Sequence, residues 1–151
     1  IDAECRTQLL TRTEAGGPPQ AIRVPVNFVH HRGKHYVVVA DEALKGLVEL
    51  PPIHGVNPVP KRSFFIVRYE IRGDRLRMFS VDDRAAARAI LDSKLEGTIS
   101  STLDELHVYV RGTREQVLQG LDTPGLFERK PGSVLRRSDS TLEQALRETT
   151  R

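Results

Sequence analysis

The 151-residue sequence predicts an α+β fold, a mainly antiparallel sheet built from two successive hairpins with short helices packed on it. Three observations carry this. RSFFIVRYEIRGDRLRMFSV, residues 62 to 81, alternates apolar and polar side chains on both sides of a Gly-Asp pair. AIRVPVNFVHHRGKHYVVVA, residues 21 to 40, does the same around Gly33. Beyond residue 81, helical spacing and capping patterns take over, and consecutive hairpins favour antiparallel pairing over a doubly wound parallel sheet.

Residues 1 to 20 hold one apolar pair, Leu9-Leu10, before Gly16-Gly17-Pro18-Pro19. Glycine loses most entropy on ordering and proline donates no backbone hydrogen bond. This segment is therefore expected to be a flexible N-terminal arm to a single α+β domain over 21 to 151. In the first hairpin Ile22, Val24, Val26 and Phe28 alternate along one strand, and the β-branched run Val37 to Val39 lies on the other. Pro25 puts the first strand at an edge or gives it a bulge. Asp41 is suited to cap a turn or two of helix over 41 to 47. PPIHGVNPVP, residues 51 to 60, has four prolines and a glycine in ten positions and reads as a loop.

In the second hairpin a two-residue turn at Gly73-Asp74 sets the register, because glycine reaches positive φ freely and aspartate tolerates it. Ile71 then faces Leu76, Tyr69 faces Met78 and Val67 faces Ser80, an apolar face expected to cover the core. Glu70 faces Arg77 on the other side. An ion pair there contributes only ~0.2–1 kcal/mol, against roughly 1.5–3 kcal/mol for burying one large aliphatic side chain, so burial decides the register. The reverse face turns apolar away from the turn, with Ile66 and Phe79, which implies a second covering layer at the hairpin base.

The rest follows by capping and period. Asp82 or Asp83 caps a helix to about Ser93, with Ala86, Ile90 and Leu91 as its apolar stripe. Residues 97 to 104 read as polar connection. Leu106, Val108 and Val110 alternate with His107 and Tyr109 as a half-buried strand. Thr113 and Gln116 have capping-box spacing ahead of Val117, Leu118 and Leu121, and Pro124-Gly125 ends that helix. Phe127 is expected in the core and Val134-Leu135 in a last edge strand. Ser140 and Glu143 form another capping-box pattern ahead of Leu142, Ala145 and Leu146, a short terminal helix.

The formal charge is +3, from 23 basic and 20 acidic residues, so the surface is mixed and licenses only weak attraction to polyanions. One cysteine, Cys5, excludes an intramolecular disulfide and a cysteine-based zinc site. Glu4 stands before Cys5, where bacterial lipoprotein processing sites have a small residue. No apolar run reaches the ~18 residues of a membrane span.

From Phe65 to Arg137 the segments YEIRGDRLRMFSVD, AAARAI, LHVYV, TREQVL and GLF follow one plan: a hairpin with a Gly-Asp turn, an Ala-rich helix, a strand, and a capped helix followed by Leu-Phe. This block, about half of the chain, resembles a group of small uncharacterised bacterial envelope proteins, many of them lipoproteins. The resemblance implies the α+β fold and an exported or envelope location, and carries no catalytic residues. The basic strand positions Arg68, Arg75 and Arg77 depart from it. Since the chain starts at Ile1 with an arm-like leader, the expectation is a targeting segment upstream and a protein of the cell envelope or secreted; the alternative is a cytoplasmic one.

No motif names a reaction or a cofactor. His30 is expected opposite His35 with His31 pointing away, which gives two imidazoles, flanked by Arg32 and Lys34, where catalytic zinc takes three protein ligands; no metal site is expected. His54 lies in the proline loop and His107 on a strand, without a sequence-near nucleophile or acid. Ser100 and Ser101 lack the nucleophile-elbow pattern, and no phosphate-cradling glycine loop is present. Arg68, Arg72, Arg75 and Arg77 fall on one face of the second hairpin, expected to be the non-core face, as an anion- or partner-binding surface, with Arg62 and Lys61 near its base. Aromatic residues make up only 5% of the chain and there is no tryptophan, so no specific nucleic-acid site is expected. The reading is a noncatalytic envelope or exported accessory or binding domain, without cofactor, whose partner is another envelope protein or an acidic molecule. The alternatives are a small hydrolase whose residues converge only in three dimensions, and a weak nonspecific polyanion binder.

Overall fold

The computed structural model describes residues 6–11, 20–44, 62–101, 106–137 and 139. In chain order its elements are β1 (Arg6–Thr11), β2 (Gln20–Pro25), β3 (Asn27–His31), β4 (Lys34–Ala40), α1 (Asp41–Leu44), β5 (Ser63–Arg72) and β6 (Arg75–Ser80). They continue as α2 (Asp83–Leu91), β7 (Gly97–Ser101), β8 (Leu106–Arg111), α3 (Arg114–Gly120) and β9 (Ser133–Arg136). The fold is α+β, with a mainly antiparallel seven-stranded sheet.

Strand β5 is its axis, long enough to serve two sets of neighbours. Along one side it pairs with β4, from Phe64 opposite Ala40 to Tyr69 opposite His35. Along the other, its first residues pair with β8 and its last with β6. The sheet therefore forks, running β3-β4-β5-β6-β9 toward the hairpin turn and continuing through β8 to β7 at the base. Asp82 caps α2 by accepting a bond from the Ala85 amide at 3.0 Å. Thr113 and Gln116 close a reciprocal capping box on α3, each accepting from the other's backbone amide.

The turn at Gly73-Asp74 gives the expected register: Ile71 faces Leu76, Tyr69 faces Met78 and Glu70 faces Arg77. The faces are exchanged. Ile71 is 70% exposed, whereas Ile66 and Phe79 on the opposite face are 3% and 2% exposed. The reason is the helical layer, which lies on that face. Tyr36, Ile66 and Val110 of the sheet pack with Ala86 and Ala89 of α2, Val117 of α3, and Leu95, Leu121 and Leu126 of the connections. Leu91, expected in the α2 stripe, points outward and is exposed. Near the base the second face is also covered: Val67 is buried, and Val24, Val26 and Val39 form a smaller core with Val37 and Leu44.

Other expectations change. Val24 and Phe28 do not share a strand: β2 ends at Pro25 and pairs with β1 in a separate two-stranded ribbon, while β3 starts at Asn27 and pairs with β4. Proline's missing amide makes this a natural break. Arg6–Thr11, within the segment read as an arm, is one strand of that ribbon. Residues Gly97–Ser101, read as polar connection, form β7 against β8. Gly97 lies so close to Ile90 of α2 and the Tyr109 carbonyl that a Cβ has no room there. The proline loop with His54, Cys5 and the terminal helix expected after Ser140 lie outside the described residues. Among the described residues no helix is long and apolar enough to cross a membrane.

Candidate anion-binding site at the open end of the sheet

Strand β5 outruns β4 at the turn end. The β4 ladder stops with His35 opposite Tyr69, and Glu70, Ile71 and Arg72 project beyond it. This overhang leaves a notch of about 440 Å³ between the two turns, lined by Gly33, Lys34, His35, Arg68, Tyr69, Glu70, Ile71 and Arg72. Two of the four arginines proposed from sequence, Arg68 and Arg72, line it. Both point to the face that the helices cover farther down, not to a non-core face: the helical layer ends before the turn, and the core face continues there as a charged surface.

Glu70 is the centre of this surface. Its carboxylate meets the Arg72 guanidinium at 3.4 Å, Arg77 at 3.6 Å and Arg68 at 4.0 Å. One carboxylate cannot neutralise three guanidiniums, so positive charge remains. The Arg72 pair is exposed and contributes only ~0–1 kcal/mol to stability. Arg68 is the most enclosed, with its guanidinium carbon 4.4 Å from the Phe79 ring centre and 5.7 Å from that of Phe127. Its Nε is buried and has no hydrogen-bond partner among the described residues. Arg77 also lies over Phe79, at 5.4 Å.

Arg75 belongs to a neighbouring group. The Arg136 Nε donates to the Asp74 carboxylate at 2.7 Å, and Arg75 reaches the same residue at 4.0 Å. Strand β9 brings Arg136 there by pairing with β6, Arg136 opposite Arg75 and Val134 opposite Arg77. Arg136 is thus a fifth arginine of this surface that local sequence pattern does not reveal. The available signal was the expected edge strand at Val134-Leu135, whose partner strand lies some sixty positions earlier. On this end of the face the guanidiniums of Arg68, Arg72, Arg75, Arg77 and Arg136 stand near the carboxylates of Glu70 and Asp74, and Arg137 and Asp139 line the hollow beside Asp74 and Arg136.

The histidines separate. His30 and His35 lie opposite each other, as expected, with rings stacked at 4.8 Å, and His35 packs on Tyr69 at 5.4 Å. Stacked rings direct their nitrogens side by side rather than at one point, and among the described residues no three His, Cys, Asp or Glu side chains group as metal ligands. His31 turns to the helical side, where its Nε2 is 3.1 Å from Asp122, a carboxylate that also pairs with Arg32 at 3.3 Å. Tyr36, buried beside this group, has its phenol pushed up by burial, an effect that Arg68 opposes and Asp122 reinforces. At the sheet base Asp41 and Ser63 are buried on the second face, and burial raises the Asp41 carboxyl while its hydrogen bond from Ser63 lowers it. The Tyr109 phenol is pushed up by burial and then by Asp41.

Comparison of the chain with protein families, curated proteins and solved structures finds no match.

Proposed function

We propose that this chain is a noncatalytic binding domain whose arginine-lined sheet end takes an acidic partner. The observation that carries this reading is the ratio at its centre: Arg68, Arg72 and Arg77 share the single carboxylate of Glu70 beside an open notch. An incoming carboxylate gains charge-assisted bonds from guanidiniums already held in place by Phe79 and by Glu70. An envelope or secreted location belongs to the same proposal and rests on the resemblance of the 65 to 137 block.

Titration with polyglutamate tests the binding. Affinity is expected to fall steeply with salt, since the surface is exposed and screened. Arg72→Glu/Arg77→Glu is expected to lower it by about tenfold or more. Unchanged affinity in that variant overturns the reading. Random-sequence duplex DNA is expected to bind no better than polyglutamate, and sequence-selective DNA binding at physiological salt replaces the acidic partner with nucleic acid. Fractionation of cells expressing the full-length gene tests location, and a product entirely in the cytosol removes the envelope assignment.

The hydrolase alternative has one observation in its favour, the His31–Asp122 pair at 3.1 Å. An acid orients a histidine in that way in catalytic triads. Here Arg32 shares the acid, and among the described residues no hydroxyl bonds the other ring nitrogen of His31. His31→Ala without loss of any hydrolytic activity found in the purified protein dismisses this alternative.

A further inference from the structure

Strand β9 is an edge of the seven-stranded sheet: among the described residues it pairs with β6 alone, and all four of its residues are exposed. The Arg137 amide donates to the Asp74 carbonyl at 2.6 Å. In an antiparallel ladder, inward and outward backbone groups alternate, so Ser133 and Leu135 direct their amides to β6 while Val134 and Arg136 direct theirs to the open side. Two further facts make this edge asymmetric. On the helical face, the rows beside it carry Arg77 next to Val134 and Arg75 next to Arg136. On the opposite face, Ile71, Leu76 and Leu135 form one row across three strands, with Ile71 and Leu135 70% and 53% exposed.

We infer that the acidic partner binds as an extended peptide that adds a strand to β9, with acidic residues alternating with apolar ones. This rests on the acidic-partner reading and seats the strand on the β9 side of the arginine face, across β6 from the notch, with Arg77 common to both. Successive side chains of a strand point to opposite faces. A strand paired with β9 therefore sends one alternate set alongside Val134 and Arg136, with Arg77 and Arg75 one strand further in, and the other alongside Ser133 and Leu135, with Leu76 one strand further in. Only a period-two pattern matches both. The outward backbone groups of Val134 and Arg136 supply the hydrogen bonds, the guanidiniums select carboxylates, and the apolar row selects aliphatic side chains. A surface recognising charge alone needs neither the edge nor the row.

The test uses the full chain and three fluorescent probes: polyglutamate, a Glu-Val alternating heptapeptide, and a heptapeptide of the same composition with its glutamates in one block. The alternating peptide is expected to bind about tenfold or more tightly than the block peptide, which strand addition requires and charge attraction does not. N-methylation of one alternate set of its amides should abolish that advantage, while methylation of the other set leaves it. Val134→Pro removes an outward amide without touching the β6 ladder, and should bring the alternating peptide down to the block peptide while polyglutamate binding persists. Equal binding of alternating and block peptides, or an advantage that survives both Val134→Pro and either methylation, overturns strand addition and leaves the acidic-partner reading standing. Failure of all three probes to bind overturns both.

Discussion

The guanidinium carbon of Arg68 lies 4.4 Å from the centre of the Phe79 ring, on the same sheet face as the hydrophobic core. An arginine on a core face is tolerated here because it stands where the helical layer ends: its stem continues the apolar surface of Ile66 and Phe79, and its charged end reaches Glu70 and the notch. The residue thus joins the packing of the fold to the charge of the candidate site, and its two roles are separable by substitution.

Arg68→Met keeps the stem and removes both the charge and the buried Nε. The lost ring interaction, ~0.5–2 kcal/mol, is opposed by relief of an unsatisfied donor, ~1–3 kcal/mol. Stability is expected to stay within about 1 kcal/mol of wild type, whereas Arg68→Ala strips cover from Phe79 and loses roughly 1–3 kcal/mol. Both variants should bind polyglutamate more weakly. Urea denaturation of the two side by side checks this, and equal destabilisation would place the support of the fold in the charge rather than the stem.

Ile71→Asp is expected to change stability by no more than about 0.5 kcal/mol, because the side chain is largely in solvent at the hairpin end. Ile66→Asp, five positions earlier, puts a carboxylate into the core among Tyr36, Ala86 and Val110 and is expected to cost more than about 3 kcal/mol or prevent folding. A reversed order of the two denaturation midpoints would restore the face assignment that the local pattern suggests.

That contrast shows how much was legible in the sequence. Turn chemistry at Gly73-Asp74 is local, so the pairing of Ile71 with Leu76 followed from it. Which face the helices cover is not local: it depends on where α2 lands after Asp82, and the apolar residues at the turn end favour the wrong side. The capping residues of α2 and α3 and the strand at Leu106 were readable because a cap and an alternation each occupy a few neighbouring positions. Strand β7 was not, because its sequence, GTISS, has one large apolar side chain. Four arginines of the site share one hairpin and were visible; Arg136 required knowing that β9 pairs with β6.

Gly97→Ala is expected to destabilise by about 1–3 kcal/mol through overpacking, since a methyl group there meets the Ile90 side chain and comes within 2.8 Å of the Tyr109 carbonyl. Shortening Ile90 to valine removes one obstacle and leaves the backbone one. The double variant Gly97→Ala/Ile90→Val should therefore recover only part of the loss relative to the sum of the single changes. Simple additivity in thermal or urea unfolding would mean that the α2–β7 contact does not set the requirement for glycine.

Asp41 gives the fold a pH dependence of predictable sign. Burial is the larger effect and raises its carboxyl above the ordinary 3.8, with the Ser63 hydrogen bond opposing. The folded state then holds this proton more tightly than the unfolded one, so the stability linked to it is fully present below the unfolded value and lost as pH rises through the raised folded value. Asp83 is shifted the same way, by burial first, with His107 opposing and Asp82 and Glu128 adding to the rise. A pH profile of the wild type alone therefore mixes two groups falling in the same direction. Asp41→Asn isolates one of them, because the amide retains an acceptor for Ser63, carries no charge at any pH and leaves Asp83 in place. The variant's stability relative to wild type is expected to climb as pH rises through the ordinary carboxylate range and the raised folded value above it. Urea midpoints of the two proteins at matched pH values measure this difference. A difference that does not vary with pH would show that burial leaves the Asp41 proton unperturbed, and one that moves in favour of the wild type as pH rises would mean that the Ser63 bond outweighs burial.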